Sequence, residues 1–169
     1  MRILCIAFVT LAITSGTLAG YINAFDQPFT FSCPAKKIIS YISSVHDNFY
    51  EDRLWEIHCR SEGQTSGCVN SDDYVNNFDN PVFFLCPGSK VLTGIESYHH
   101  DHYEDRRFKF QCCDVTERIP SNCYTTANMN EWDGKLTMLV PEGQAIVGVF
   151  SHHNDFYEDR LFSFRLCTL

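Results

Sequence analysis

The sequence predicts an all-β, single disulfide-stapled domain of three pseudo-symmetric repeats, and three observations lead there. The segment Asn48-Phe49-Tyr50-Glu51-Asp52-Arg53-Leu54-Trp55 returns as Asp101-His102-Tyr103-Glu104-Asp105-Arg106-Arg107-Phe108, and again as Asp155-Phe156-Tyr157-Glu158-Asp159-Arg160-Leu161-Phe162. Asp52, Asp105 and Asp159 stand 53 and 54 residues apart, so one supersecondary unit is copied three times with almost no slippage. Short runs rich in β-branched and aromatic residues, at 29–32, 38–45 and 53–59 in the first copy, alternate with loops of Pro, Asn, Asp and Gly, and no run keeps a helical period. Eight of the 9 cysteines lie beyond residue 30, the arithmetic of a disulfide framework.

Taken in order, the chain opens with Met1-Arg2, an apolar run over 3–18, and Ala19-Gly20, which reads as a signal peptide over 1–19 ahead of a domain over 20–169. Thr10, Thr14, Ser15 and Gly16 break the run, and it falls short of the ~20 apolar residues of a membrane span. The expectation is a secreted, extracellular protein without membrane insertion. A formal net charge of −8, one more negative once Arg2 leaves, disfavours nucleic acid as a partner. Sulfated glycans would need a local basic cluster.

The repeats run over about 25–60, 78–113 and 132–167, with about three strands each. Each opens with an aromatic-Asp pair (Phe25-Asp26, Phe78-Asp79, Trp132-Asp133), read as the turn entering the first strand. The polar linkers, 61–77 and 114–131, are tethered by Cys68 and Cys123. Trefoil-like and prism-like arrangements both suit three copies.

Spacing alone leaves about 105 disulfide connectivities, and the repeat removes most of them. Cys33 aligns with Cys86, and Cys59 with Cys112; the third copy has Val140 and Leu166 at those places, a joint loss that marks bonded pairs. Hence Cys33–Cys59 and Cys86–Cys112. Cys113 and Cys167 share the next aligned position, and copy one lacks both that cysteine and its upstream partner. Hence Cys68–Cys113 and Cys123–Cys167.

Alternation in the last strand puts Arg53, Trp55 and Ile57 on a core face, matched by Arg106, Phe108, Phe110 and by Arg160, Phe162, Phe164. The opposite row, beginning at Asp52, Asp105 and Asp159, is mostly polar and is expected to face out. Each arginine then needs a carboxylate at the rim of the core, and Glu51, Glu104 and Glu158, two residues back, are the expected partners in a structural clamp closing each unit.

The loop before each motif supplies the candidate ligand-binding residues: His46, Asp47, Asn48 and Tyr50; His99, His100, Asp101 and Tyr103; His152, His153, Asn154, Asp155 and Tyr157. Planar polar side chains beside aromatic rings are what a shallow sugar site uses. Histidines beside carboxylates also raise metal binding, but no spacing here matches a known ligand pattern, so no metal and no cofactor are expected. Tyrosines beside Glu and Asp suit sulfation, with packing as the plainer role. Nothing resembles an activated nucleophile, and an active site is usually singular where this motif is threefold, so the protein is not expected to be an enzyme.

The repeated Asp-Arg-x-aromatic strand ending in cysteine, preceded by Cys33-Pro34 and Cys86-Pro87, resembles the dermatopontin family, in particular its invertebrate branch of hemagglutinin/amebocyte aggregation factors. The resemblance covers about residues 21–169. The family motif ends in tryptophan, kept at Trp55 and replaced by Phe108 and Phe162. It implies a secreted, non-enzymatic adhesion protein that agglutinates or aggregates cells. The expected partners are cell-surface glycans or glycoproteins, with self-association; the second reading is matrix assembly on proteoglycan or collagen.

Overall fold

The computed structural model describes residues 20–169, so the signal-peptide reading of 1–19 lies outside the described residues. The described chain is all β. Eleven strands follow in order: β1 (Phe29–Ser32), β2 (Lys37–Asp47), β3 (Asp52–Ser61), β4 (Thr65–Asn70), β5 (Val82–Leu85), β6 (Val91–His100), β7 (Asp105–Val115), β8 (Ser121–Thr125), β9 (Leu136–Leu139), β10 (Gln144–Asn154) and β11 (Asp159–Thr168). Each copy contributes a short strand and a long hairpin; the linkers add β4 and β8.

The hairpins β2–β3, β6–β7 and β10–β11 each begin their second strand on the Asp of the Asp-Arg motif. Their turns hold Glu51, Glu104 and Glu158 at φ of 43°, 43° and 44°. That left-handed conformation favours glycine, so each glutamate sits in its turn at a conformational cost.

The short strands pair outside their own copies. β1 lies on β6, β5 on β10, and β9 on β2, all antiparallel. The resulting sheets have orders β1-β6-β7-β4, β5-β10-β11-β8 and β3-β2-β9. Close approach of the incoming strand explains Gly148, where a Cβ would stand 2.6 Å from Leu85 Cδ2 and 2.9 Å from the Phe84 carbonyl. Among the described residues the three sheets are separate, with no ladder between them.

The inward rows meet in one core. Trp55, Phe108 and Phe162 are buried and pack edge to face, with ring centroids 5.4–6.0 Å apart. Ile42, Leu92, Ile146, Met138 and Phe164 are buried in the same cluster. The disulfides are Cys33–Cys59, Cys86–Cys112, Cys68–Cys113 and Cys123–Cys167. The first two tie the ends of a copy together, and the other two fasten the linker strands β4 and β8.

Candidate functional site

The aspartates at the head of the outward row are buried, contrary to the expectation that they face solvent. Asp52, Asp105 and Asp159 are each 3% exposed, and Arg53, Arg106 and Arg160 only 3–4%. The clamp also has a different carboxylate from the one expected. Arg106 donates Nε and Nη2 to Asp52 at 2.6 and 2.7 Å, Arg160 to Asp105 at 2.6 and 2.6 Å, and Arg53 to Asp159 at 2.6 and 2.7 Å. Every arginine therefore grips another copy, and the three pairs close a ring. The aspartate takes the guanidinium fork with both oxygens, one on Nε and one on Nη2, the bidentate pairing that arginine makes best. Glu51, Glu104 and Glu158 line the same cavity as the arginines but face His46, His99 and His153 instead.

Each clamp aspartate also accepts the backbone N–H of the turn aspartate in its own copy: Asp26 to Asp52 at 2.8 Å, Asp79 to Asp105 at 2.8 Å, and Asp133 to Asp159 at 2.9 Å. These bonds tie the opening turn of each copy to its clamp aspartate. A further residue escaped sequence reasoning. Asn23, Asn76 and Asn130 lie two residues ahead of that aromatic, and each amide acts as a substitute strand: Asn76 Oδ1 accepts the Phe108 N–H at 3.0 Å while its Nδ2 donates to the Arg106 carbonyl at 2.9 Å. Asn23 does the same for Trp55 and Arg53, and Asn130 for Phe162 and Arg160. The signal was present, since the three asparagines share one aligned position in the repeat.

The loop residues divide into two groups. His46, His99 and His153 turn inward with side chains 1% exposed. Each sits between a turn aspartate of another copy (Asp133, Asp26 and Asp79, at 3.5–3.7 Å) and the glutamate of its own hairpin (Glu51, Glu104 and Glu158, at 3.5–3.7 Å). Burial pushes the carboxyls of Glu51, Glu104, Glu158, Asp26 and Asp79 above the usual range. Asp47 and Asn154 hold the turns, their Oδ1 atoms accepting the N–H of Phe49 and Phe156 at 2.9 Å.

The second group faces solvent. His100, Asp101, His152 and Asp155 are exposed, and Asn48 is exposed while donating to Asp133 at 3.5 Å. Tyr50, Tyr103 and Tyr157 stack on Phe25, Phe78 and Trp132 at 4.5–5.2 Å, leaving one edge open. Phe49 and Phe156 are 85% and 86% exposed at two tips, where the second tip carries His102. All three tips stand at one end of the molecule, because Glu51, Glu104 and Glu158 line a single cavity of about 20 Å³ together with the three arginines. A cleft that the loop reading did not include, of about 320 Å³, crosses the sheet of β1, β6, β7 and β4 between Asn70, Glu96, Lys109 and Gln111.

A sequence model described as Dermatopontin matches residues 23–169. The chain belongs to the dermatopontin family. It is 48% identical over 147 residues to a dermatopontin of Biomphalaria glabrata, covering 87% of this chain and 99% of that protein. To the hemagglutinin/amebocyte aggregation factor of Limulus polyphemus it is 34% identical over 169 residues, 99% of this chain and 95% of that one. Millepora cytotoxin-1 of Millepora dichotoma is 40% identical over 146 residues, 86% of this chain but 65% of the longer relative. No solved structure matches. Four disulfides among the described residues of a dermatopontin-family chain are those of an extracellular protein.

Proposed function

We propose that this dermatopontin-family chain is a secreted, non-enzymatic adhesion protein that aggregates cells by multivalent binding to their surface glycans. The observation that carries the reading is the clustering of three equivalent hairpin tips, each with a stacked tyrosine beside exposed polar groups, around one end of a rigid domain. A ring edge with adjacent Asp, Asn or His suits the apolar face and hydroxyls of a sugar. Three weak contacts presented together gain strength through effective concentration. The aggregation factor of Limulus polyphemus, similar over the whole chain, supports the same class.

Tips that share one end engage one surface, so joining two cells requires a second molecule. Self-association belongs to the proposal, and Phe83 and Leu85 on strand β5, at the edge of its sheet, offer an exposed apolar row for it. The test is erythrocyte agglutination by the purified protein with simple sugars as competitors, followed by a glycan array. Agglutination abolished by a monosaccharide supports the glycan reading. Retention on collagen or heparin without agglutination would overturn it in favour of matrix assembly.

A further inference from the structure

We infer that the chain binds zinc-class divalent cations at two of the three joints between its copies, through His99 Nδ1 with Asp26 and Asp101, and through His153 Nδ1 with Asp79 and Asp155. The His99 ring is 1% exposed and neither of its nitrogens has a hydrogen-bond partner. Asp26 Oδ1 is buried and likewise unpaired. Nδ1 stands 3.5 Å from Asp26 Oδ1 and 3.6 Å from Asp101 Oδ1 and makes a hydrogen bond to neither. Either separation is close to the edge of a tetrahedron whose ligands lie about 2.0–2.1 Å from zinc, which is about 3.4 Å. In the third copy the corresponding distances from His153 Nδ1 are 3.7 Å to Asp79 and 3.3 Å to Asp155.

Proton counting supports a cation. His99 faces three carboxylates, Asp26 and Asp101 at Nδ1 and Glu104 at Nε2, and even a doubly protonated imidazole can donate to two of them. An ion between Nδ1 and the two aspartates serves both and leaves Nε2–H facing Glu104 Oε2 at 3.6 Å, the side from which a carboxylate can orient a ligating ring. One buried imidazole with two carboxylates is a zinc-class set rather than the all-oxygen set of calcium or magnesium.

Copy one is the internal contrast. Asn48 replaces Asp101 and donates its amide toward Asp133, so a neutral donor stands where the other joints place a second carboxylate. Asp159, also near His46, already gives both oxygens to Arg53.

The test is isothermal titration of the intact, EDTA-treated and dialysed protein with zinc chloride, paired with thermal melting. Two equivalents per chain are expected. Asp101→Asn should lose one and Asp101→Asn with Asp155→Asn both, each affinity falling at least tenfold, while Asn48→Asp should add a third. Asp101 and Asp155 are exposed, so these variants should melt with the wild type in EDTA and lose only the rise in melting temperature on adding zinc. Replacing His100, His102 and His152 with alanine should leave two equivalents. Undiminished binding in the double asparagine variant, binding lost with the three surface histidines, saturation by calcium with none by zinc, or no saturable binding would each overturn the inference.

Discussion

Arg106 is an arginine in a protein interior, tolerable because Asp52 neutralises it through two hydrogen bonds and the Gln27 carbonyl accepts a third at 3.1 Å. Arg106→Ala strands the Asp52 carboxylate in the core and should lower stability by about 3–5 kcal/mol in urea unfolding. Arg106→Met combined with Asp52→Leu should recover most of that loss, short of the ~1–3 kcal/mol for the Asp26 N–H left without its acceptor. Glu51 gives a pH signature. Burial raises its carboxyl above the usual value, against the opposing pull of His46, so the folded state holds the proton more tightly than the unfolded state does. Its contribution is therefore fully favourable below the unfolded carboxyl range and is lost as pH rises through the raised folded value. Melting curves of Glu51→Gln and wild type should coincide near pH 4, with the variant the more stable at pH 7; the opposite order would show that the carboxylate is stabilised where it sits. At this scale the strand alternation made the arginines legible as core-edge residues. Their partners were not, since Asp52 and Arg106 are 54 residues apart and meet only through the joint between copies.

The strands and cysteine pairs could be read from the repeat, because alternation and aligned losses are local or in-register signals. The exchange of β1, β5 and β9 into other copies could not, since an edge strand carries no mark of the hairpin it will join. The asparagine amides show how one side chain can finish an element. On the side of β7 away from β6, pairing with β4 stops at Gln111, and beside Arg106 and Phe108 Asn76 supplies the donor and the acceptor that a neighbouring strand would have given. Asn76→Ala should expose two buried backbone groups to no partner and cost about 1–3 kcal/mol by chemical denaturation. Asn76→Asp keeps the acceptor for Phe108 N–H but sets a buried carboxylate oxygen against the Arg106 carbonyl, so at neutral pH it should cost at least as much as alanine. A loss from aspartate clearly smaller than from alanine would mean that the Phe108 N–H contact carries the effect.

For the whole molecule, the Arg–Asp ring and the strand exchange make each copy depend on the other two, and that interdependence fixes where the tips point. The sequence showed three loops but not that they share one end, which follows from the three glutamates meeting at a single cavity. Tips on a common face act on one cell surface as a unit, so their contributions should multiply through avidity rather than average. Phe49→Ala or Phe156→Ala alone should reduce agglutination titre several-fold, and the two together should nearly abolish it. Both rings are exposed, so melting temperatures should not change. Asn70→Ala with Gln111→Ala, in the cleft on the β1-β6-β7-β4 sheet, is the matched control and should leave the titre intact. Titre lost with the cleft change and kept in the double tip variant, at equal melting temperature, would move the binding surface from the hairpin tips to that sheet.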